Sequence, residues 1–248
     1  MIDTHAHLDA CADPPAILLS RAREAGVDRV MTVGTTIESC RAALEAADGN
    51  EGVYATLGLH PHEAGGGEAG RLEELRGLLG HERAVAVGET GLDFFRDYAP
   101  RDAQLRLFEQ QLELASELGK PVVIHARDAD DEVATALARF EGTVVLHCFS
   151  SPQLLPVALE RRYYVSFAGN VTFPKAEELR AAAAEISADR LLAETDSPYL
   201  APEPRRGRPN EPANVVHTVA VLAATRGDDA GELAEQIDRN ADAAFSLR

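Results

Sequence analysis

The residues of this chain best equipped for chemistry are histidines set beside carboxylates. The opening, Asp3-Thr4-His5-Ala6-His7-Leu8-Asp9, puts two imidazoles two residues apart in a short apolar stretch. Side chains alternate across a strand, so His5 and His7 leave one face and offer two nitrogen ligands to a divalent metal. Such a pair alone is common on surfaces; repetition gives it weight. His60 and His62, Glu89, His125, His147, Glu194 and Asp196 stand at the ends of further apolar runs. Six of the eight histidines sit at such exits, and only His81 and His217 fall elsewhere, as solvated surface positions. Imidazole suits zinc, manganese, iron or nickel, and a carboxylate can join two cations. One carboxylate between two histidine-rich half-sites is the composition needed to hold two metals about 3.5–4 Å apart, which acidify water and stabilise a leaving oxygen. A second carboxylate beside that water, Asp196, would accept its proton.

Positioning these groups at one place requires a fold that brings many strand ends together. Short apolar runs at 2–5, 29–33, 53–58, 84–88, 121–125, 143–147, 163–167 and 190–194 read as eight strands. Helical patterns lie between them at 15–25, 38–47, 71–79, 101–118, 131–140, 152–161 and 175–185, and two more follow at 212–225 and 229–245. In the clearest, Leu105, Phe108, Leu112 and Ala115 recur at spacings of three and four before Gly119, Lys120 and Pro121 stop the helix. Runs such as Val122-Val123-Ile124 are apolar throughout, as strands of a buried parallel sheet are. Eight strand–helix units without a break in composition predict an α/β fold, a single (β/α)8 TIM-like barrel forming one domain over residues 1–248, with the site at the C-terminal ends of the strands. The rival, an open doubly wound sheet, would usually carry a glycine-rich loop where His-Ala-His-Leu-Asp stands.

Composition narrows the function further. Twenty-four basic against forty-one acidic side chains leave a net charge of −17, which argues against a broad basic groove for nucleic acid, although bound cations would change the local field. Three scattered cysteines, Cys11, Cys40 and Cys148, make a disulfide framework unexpected. No run approaches a membrane span and no targeting segment precedes the first strand, so a cytoplasmic location without membrane attachment is expected.

Taken together, the segments resemble the TatD-type metal-dependent deoxyribonucleases, a branch of the amidohydrolase-like barrels. The resemblance runs through Gly58-Leu59-His60-Pro61-His62, Val87-Gly88-Glu89-Thr90-Gly91-Leu92-Asp93-Phe94, Gln104 and Phe108, and Pro121-Val122-Val123-Ile124-His125-Ala126-Arg127. It continues with His147-Cys148-Phe149-Ser150, Glu194-Thr195-Asp196-Ser197-Pro198 and Arg206-Gly207-Arg208-Pro209-Asn210-Glu211-Pro212. The His-x-His opening is shared by many amidohydrolase-like proteins; the Glu-Thr-Gly-Leu-Asp and Glu-Thr-Asp-Ser-Pro segments in this order are specific. The resemblance implies two divalent metal ions (zinc, manganese or magnesium). His5, His7 and Asp196 would hold one, His125 and His147 the other, and Glu89 would bridge them. No lysine stands at the bridging place. It further implies a hydrolase with Glu89 and Asp196 as catalytic residues, a 3′–5′ exodeoxyribonuclease acting on DNA ends or single-stranded DNA, with no obligate protein partner. The alternative is a deacylase or amide or ester hydrolase, for example on aminoacyl-tRNA, using the same metal pair. Two glycines usual in the family are replaced, by Ser151 and by Arg162.

A phosphodiester substrate needs donors and positive charge at the mouth. His62, Arg127, Arg206 and Tyr199 are the expected substrate contacts; Arg127 follows His125 by two residues, and Arg206 lies in an arginine-rich loop with Arg205 and Arg208. Phe94, Phe95 and Tyr199 offer rings for base stacking.

Overall fold

Eight parallel strands lie side by side in chain order in the computed structural model, which describes residues 1–96 and 98–247. They are β1 (Ile2–Ala6), β2 (Arg29–Gly34), β3 (Val53–Leu57), β4 (Ala84–Asp93), β5 (Val122–Arg127), β6 (Val144–Leu146), β7 (Tyr164–Phe167) and β8 (Leu191–Ala193). The ring closes where Ala6 pairs with Ser197: His7 N donates to Ser197 O at 2.7 Å and Asp196 N to His5 O at 2.9 Å. The (β/α)8 barrel is formed, and its seam holds three of the candidate ligands together by main-chain bonds.

Helices cover the barrel: α1 (Pro15–Glu24), α2 (Ile37–Asp48), α3 (Leu72–Leu79), α4 (Arg101–Leu118), α5 (Asp130–Leu137), α6 (Leu155–Arg161), α7 (Glu177–Glu185), α8 (Val215–Arg226) and α9 (Ala230–Phe245). Local chemistry sets their ends. Thr36 and Ser39 form a reciprocal cap at the start of α2, and the Asp229 carboxylate accepts from the first amides of α9. Proline opens short 3₁₀ turns at 152–154 and 212–214, where the sequence suggests continuous helix. Val123, Ile124, Leu57 and Phe167 are fully or almost fully buried, as are Phe108 and Ala115 on the inner face of α4. Each large side chain buried this way stabilises the fold by about 1.5–3 kcal/mol.

The two replaced glycines behave differently. Arg162 ends α6 at φ 54°, the left-handed conformation for which glycine is the usual residue. Ser151, at φ −116° and ψ 82°, needs no glycine.

The largest departure from sequence expectation is β4, which runs to Asp93 instead of ending near Gly88. Its pairing with β5 slips by one residue between Val87 and Thr90, and β1 slips against β2 between Asp3 and Ala6. These are bulges, and a bulge re-aims the side chains it contains. Glu89 lies in one and His5 in the other. Gly88, at φ 152°, permits the first: a Cβ there would stand 2.6 Å from Val123 O.

Candidate metal centre

Glu89 is the centre of the site, 3% exposed and ringed by imidazoles. Its two oxygens face different histidines. Oε2 lies 3.5 Å from His5 Nε2 and 3.6 Å from His7 Nε2. Oε1 lies 2.8 Å from His125 Nδ1, 2.9 Å from His147 Nε2 and 3.4 Å from His60 Nε2. On the Oε2 side, Asp196 Oδ1 stands 3.5 Å from His7 Nε2 and 3.9 Å from His5 Nε2. The six residues expected from sequence therefore converge.

Three sets of side chains here have ligand atoms close enough to share an ion: His5, His7 and Asp196; His5, Glu89 and His147; and His60, Glu89 and His125. The donor chemistry fits a divalent cation. His5 Nε2 and His7 Nε2 are 3.3 Å apart and both point at the same two carboxylate oxygens. Mixed imidazole and carboxylate donors suit zinc, manganese or iron.

Further groups that the sequence reading left outside its ligand set support the first ones. His60 joins the cluster through Glu89; its signal was the His-Pro-His run at the exit of β3. Asp93, two strand repeats beyond Glu89, holds His125 Nε2 at 3.2 Å and His62 Nε2 at 3.0 Å. Glu194 Oε1 lies 3.1 Å from His147 Nδ1 and accepts from Cys148 N at 2.8 Å. A carboxylate behind a ligating imidazole fixes which ring nitrogen faces the metal. Asp3 accepts from Thr195 N at 2.8 Å and from Thr195 Oγ1 at 2.6 Å, tying β1 to the segment that carries Asp196. From outside the barrel α4 inserts two buried glutamines. Gln111 brackets the main chain of Leu59 and donates to Thr90, and Gln104 brackets that of Asp93. These fix the exits of β3 and β4.

The cluster polarises its own members. Burial alone would raise the Glu89 carboxyl, but the charges of His147 and His60 and hydrogen bonds from His125 and His147 hold it well below the usual carboxylate range. Burial would lower His147; Glu89 and Glu194 outweigh it and push this imidazole well above its ordinary value. His7 is raised against burial by Asp196 and Glu89. His5 is lowered by burial and by His147, and burial takes His60 down to about 4. Asp196 stays low despite burial because of its bond to His7. Asp3, fully enclosed, is pushed up by burial to about 8.

A cavity of about 720 Å³ opens above Glu89, and His62, Arg127 and Tyr199 line it. Tyr199 is 56% exposed and stands edge-on to His7 at 5.9 Å. Tyr98, which the sequence reading did not select, also lines the cavity, edge-on to His62 at 4.7 Å. Arg206 does not line it; its guanidinium lies over Phe173, 4.0 Å from the ring centre.

Comparison with known proteins agrees with this architecture. The family model described as TatD related DNase matches residues 2–246. A Mycobacterium tuberculosis protein named an uncharacterized metal-dependent hydrolase TatD is 40% identical, covering 100% of this chain and 98% of its own. The protein of Erwinia tasmaniensis named 3′-5′ ssDNA/RNA exonuclease TatD is 38% identical over 93% of each chain. Among solved structures, the TatD homologue YJJV of Escherichia coli superposes with a TM-score of 0.92 at 33% identity, covering 100% of this chain and 98% of the other.

Proposed function

Because the chain belongs to the TatD related DNase family of metal-dependent hydrolases, we propose that it is a two-metal phosphodiesterase that removes nucleotides from the 3′ end of single-stranded DNA. The observation that carries this reading is the two-sided contact of Glu89, one oxygen toward His5 and His7 and the other toward His125 and His147. In this reading His5, His7 and Asp196 would hold one cation and His125 and His147 a second, with Glu89 shared between them. His60 reaches the same oxygen of Glu89 as His125 does, and the three have ligand atoms close enough that His60 could join His125 in holding a cation. The relative named as a 3′-5′ ssDNA/RNA exonuclease supports the substrate class and polarity. The whole chain, 1–248, acts as one catalytic unit.

Divalent cations at the centre would lower the pKa of water and polarise the scissile phosphoryl group. The protein's own groups then divide the work. Asp196 turns Oδ1 to His7 and stays ionised, so that Oδ2 can take a proton from the attacking water and return it to the leaving 3′ oxygen. Glu194 and Asp93 orient His147 and His125 from behind. His62, Arg127 and Tyr199 at the cavity, and Arg206 beyond it, contact the strand.

The test is hydrolysis of 5′-labelled single-stranded DNA by metal-stripped protein to which magnesium, manganese or zinc is restored. Stepwise shortening from the 3′ end is expected with metal, and neither Glu89→Ala nor Asp196→Asn should show it. A folded, metal-loaded protein that leaves the strand intact would overturn the proposal, and ester and aminoacyl-tRNA substrates would then be the ones to test.

A further inference from the structure

Several arginines face no carboxylate among the described residues, Arg83 on Tyr54 and Arg101 on Phe94 among them, and two of these, Arg127 and Arg206, lie at or after strand exits on the side of the metal centre. Arg71, Arg76, Arg106 and Arg226 each face a carboxylate. Arg127, Arg206 and Arg208 make no ion pair among the described residues, although the chain has 41 acidic side chains for 24 basic ones. Two of these three lie on aromatic rings instead. Arg127 stands 4.0 Å from the centre of Phe95, which Arg96 also approaches at 5.8 Å, and Arg206 covers Phe173. A guanidinium on a ring face keeps its N–H edge for a phosphate and its outer plane for a base.

The two platforms flank the metal centre. Phe95 follows β4 and Arg127 ends β5, whereas Phe173 and Arg206 follow β7 and β8, three strands further around a ring of eight. Tyr98 and Tyr199, 64% and 56% exposed, are the large aromatic rings at the cavity on these same two sides. Between the platforms the cavity wall carries Asp9 and Glu63 as well as the metal ligands. A phosphate chain meets net negative charge there unless cations are bound, so protein attraction for the strand comes from its two flanks.

Resting on the nuclease reading, we infer that the enzyme binds several nucleotides at once, laying a single strand across the mouth from the Arg127–Phe95 platform to the Arg206–Phe173 platform.

The test measures KM on a length series, from a dinucleotide to a strand of about a dozen nucleotides, and binding of the same strands carrying 2-aminopurine, whose fluorescence falls on stacking. Wild-type KM should fall about tenfold or more along the series. Arg206→Glu should lose most of that gain and reduce the salt slope of binding by about 0.7 for the lost phosphate contact. Arg206→Lys should keep the slope and lose part of the quenching. Arg139→Glu, a change at an exposed arginine after α5, should behave as wild type. If wild type degrades DNA but its KM is flat with length, or if Arg206→Glu matches Arg139→Glu, the extended path is wrong while the nuclease reading stands. If the metal-loaded protein cuts no strand of any length, both fall together.

Discussion

The two ends of the barrel both carry cavities and cations, yet only one is built for chemistry. At the base, a cavity of about 620 Å³ is bordered by Lys120, Arg161, Arg162 and Arg190. Their donors are already engaged. Lys120 Nζ donates to Ala84 O, Arg161 to Phe140 O at 3.1 Å, and Arg162 and Arg190 both reach Asp189. Nearby, Arg29 is paired with Asp238 and Asp242, and the N-terminal ammonium with Asp28 and Asp238. The mouth is the reverse. Buried His5 Nδ1 and Glu194 Oε2 have no hydrogen-bond partner among the described residues, and five imidazoles crowd one carboxylate. Among those residues Arg127 and Arg206 lean on rings without a carboxylate, whereas Arg190 at the base has both the Tyr164 ring and Asp189. The base has an unpaired buried group of its own, the Tyr163 hydroxyl, but at the mouth the unpaired atoms belong to an imidazole and a carboxylate, and leaving a buried polar group unpaired costs about 1–3 kcal/mol, more for a charged one. Cavity size does not distinguish the ends; the unfinished chemistry does.

That contrast can be sharpened by perturbing each end and measuring activity and stability together. The largest effect is expected from Asp196→Asn, which keeps the shape and a ligand oxygen but removes the proton acceptor: kcat should fall about 10²–10⁴-fold with Tm nearly unchanged. An equal loss of Tm would mean that Asp196 is structural. Next comes metal removal. If the crowded mouth is completed by cations, restoring them at about 100 times Kd should stabilise the chelated protein by about 2.7 kcal/mol, seen as a Tm rise of several degrees. An unchanged melting curve would break the picture of a site waiting for positive charge.

Cys40, behind the exits of β2 and β3 and outside the cavity lining, gives a pH test. It is fully buried, and burial pushes its thiol up to about 12 from an ordinary 9.0. The unfolded chain releases that proton near pH 9 and the folded chain does not. The associated stability is therefore complete below pH 9 and is lost as pH rises from 9 toward 12, at about 1.4 kcal/mol per pH unit. Urea midpoints of wild type and Cys40→Ala should converge over that range, and parallel curves would show that the thiol is not shielded. The smallest effect belongs to the base. Arg29→Ala should lower stability by about 1 kcal/mol, as loss of a partly exposed ion pair does, and leave kcat alone. A large loss of activity there would show that the two ends are coupled.

How much of this was legible beforehand differs by residue. α4 spans Arg101–Leu118, the limits its apolar spacing and stop signals predict, because helix periodicity and capping are local. Arg162 was visible as a missing glycine, but the left-handed backbone it occupies was not. Gln104 and Gln111 were present in the helical pattern, yet nothing in spacing said that they were buried and bracketing the main chain of strand exits.

By itself the amino-acid order determined the eight strand–helix units and the placing of histidines and carboxylates at strand ends, since alternation and periodicity are properties of neighbouring residues. It also put six of the residues that converge at the centre at strand exits, which a barrel brings to one face, while their selection as a ligand set came from the family resemblance. Only the tertiary structure decided which oxygen of Glu89 meets which histidine, because that depends on bulges in β1 and β4 that shift register by one residue. It alone brought His60 into the cluster, set Asp93 and Glu194 behind His125 and His147, and moved Arg206 out of the cavity onto Phe173. Each of those contacts joins residues from different strands or loops, and their distances are fixed by packing across the barrel, not by separation along the chain.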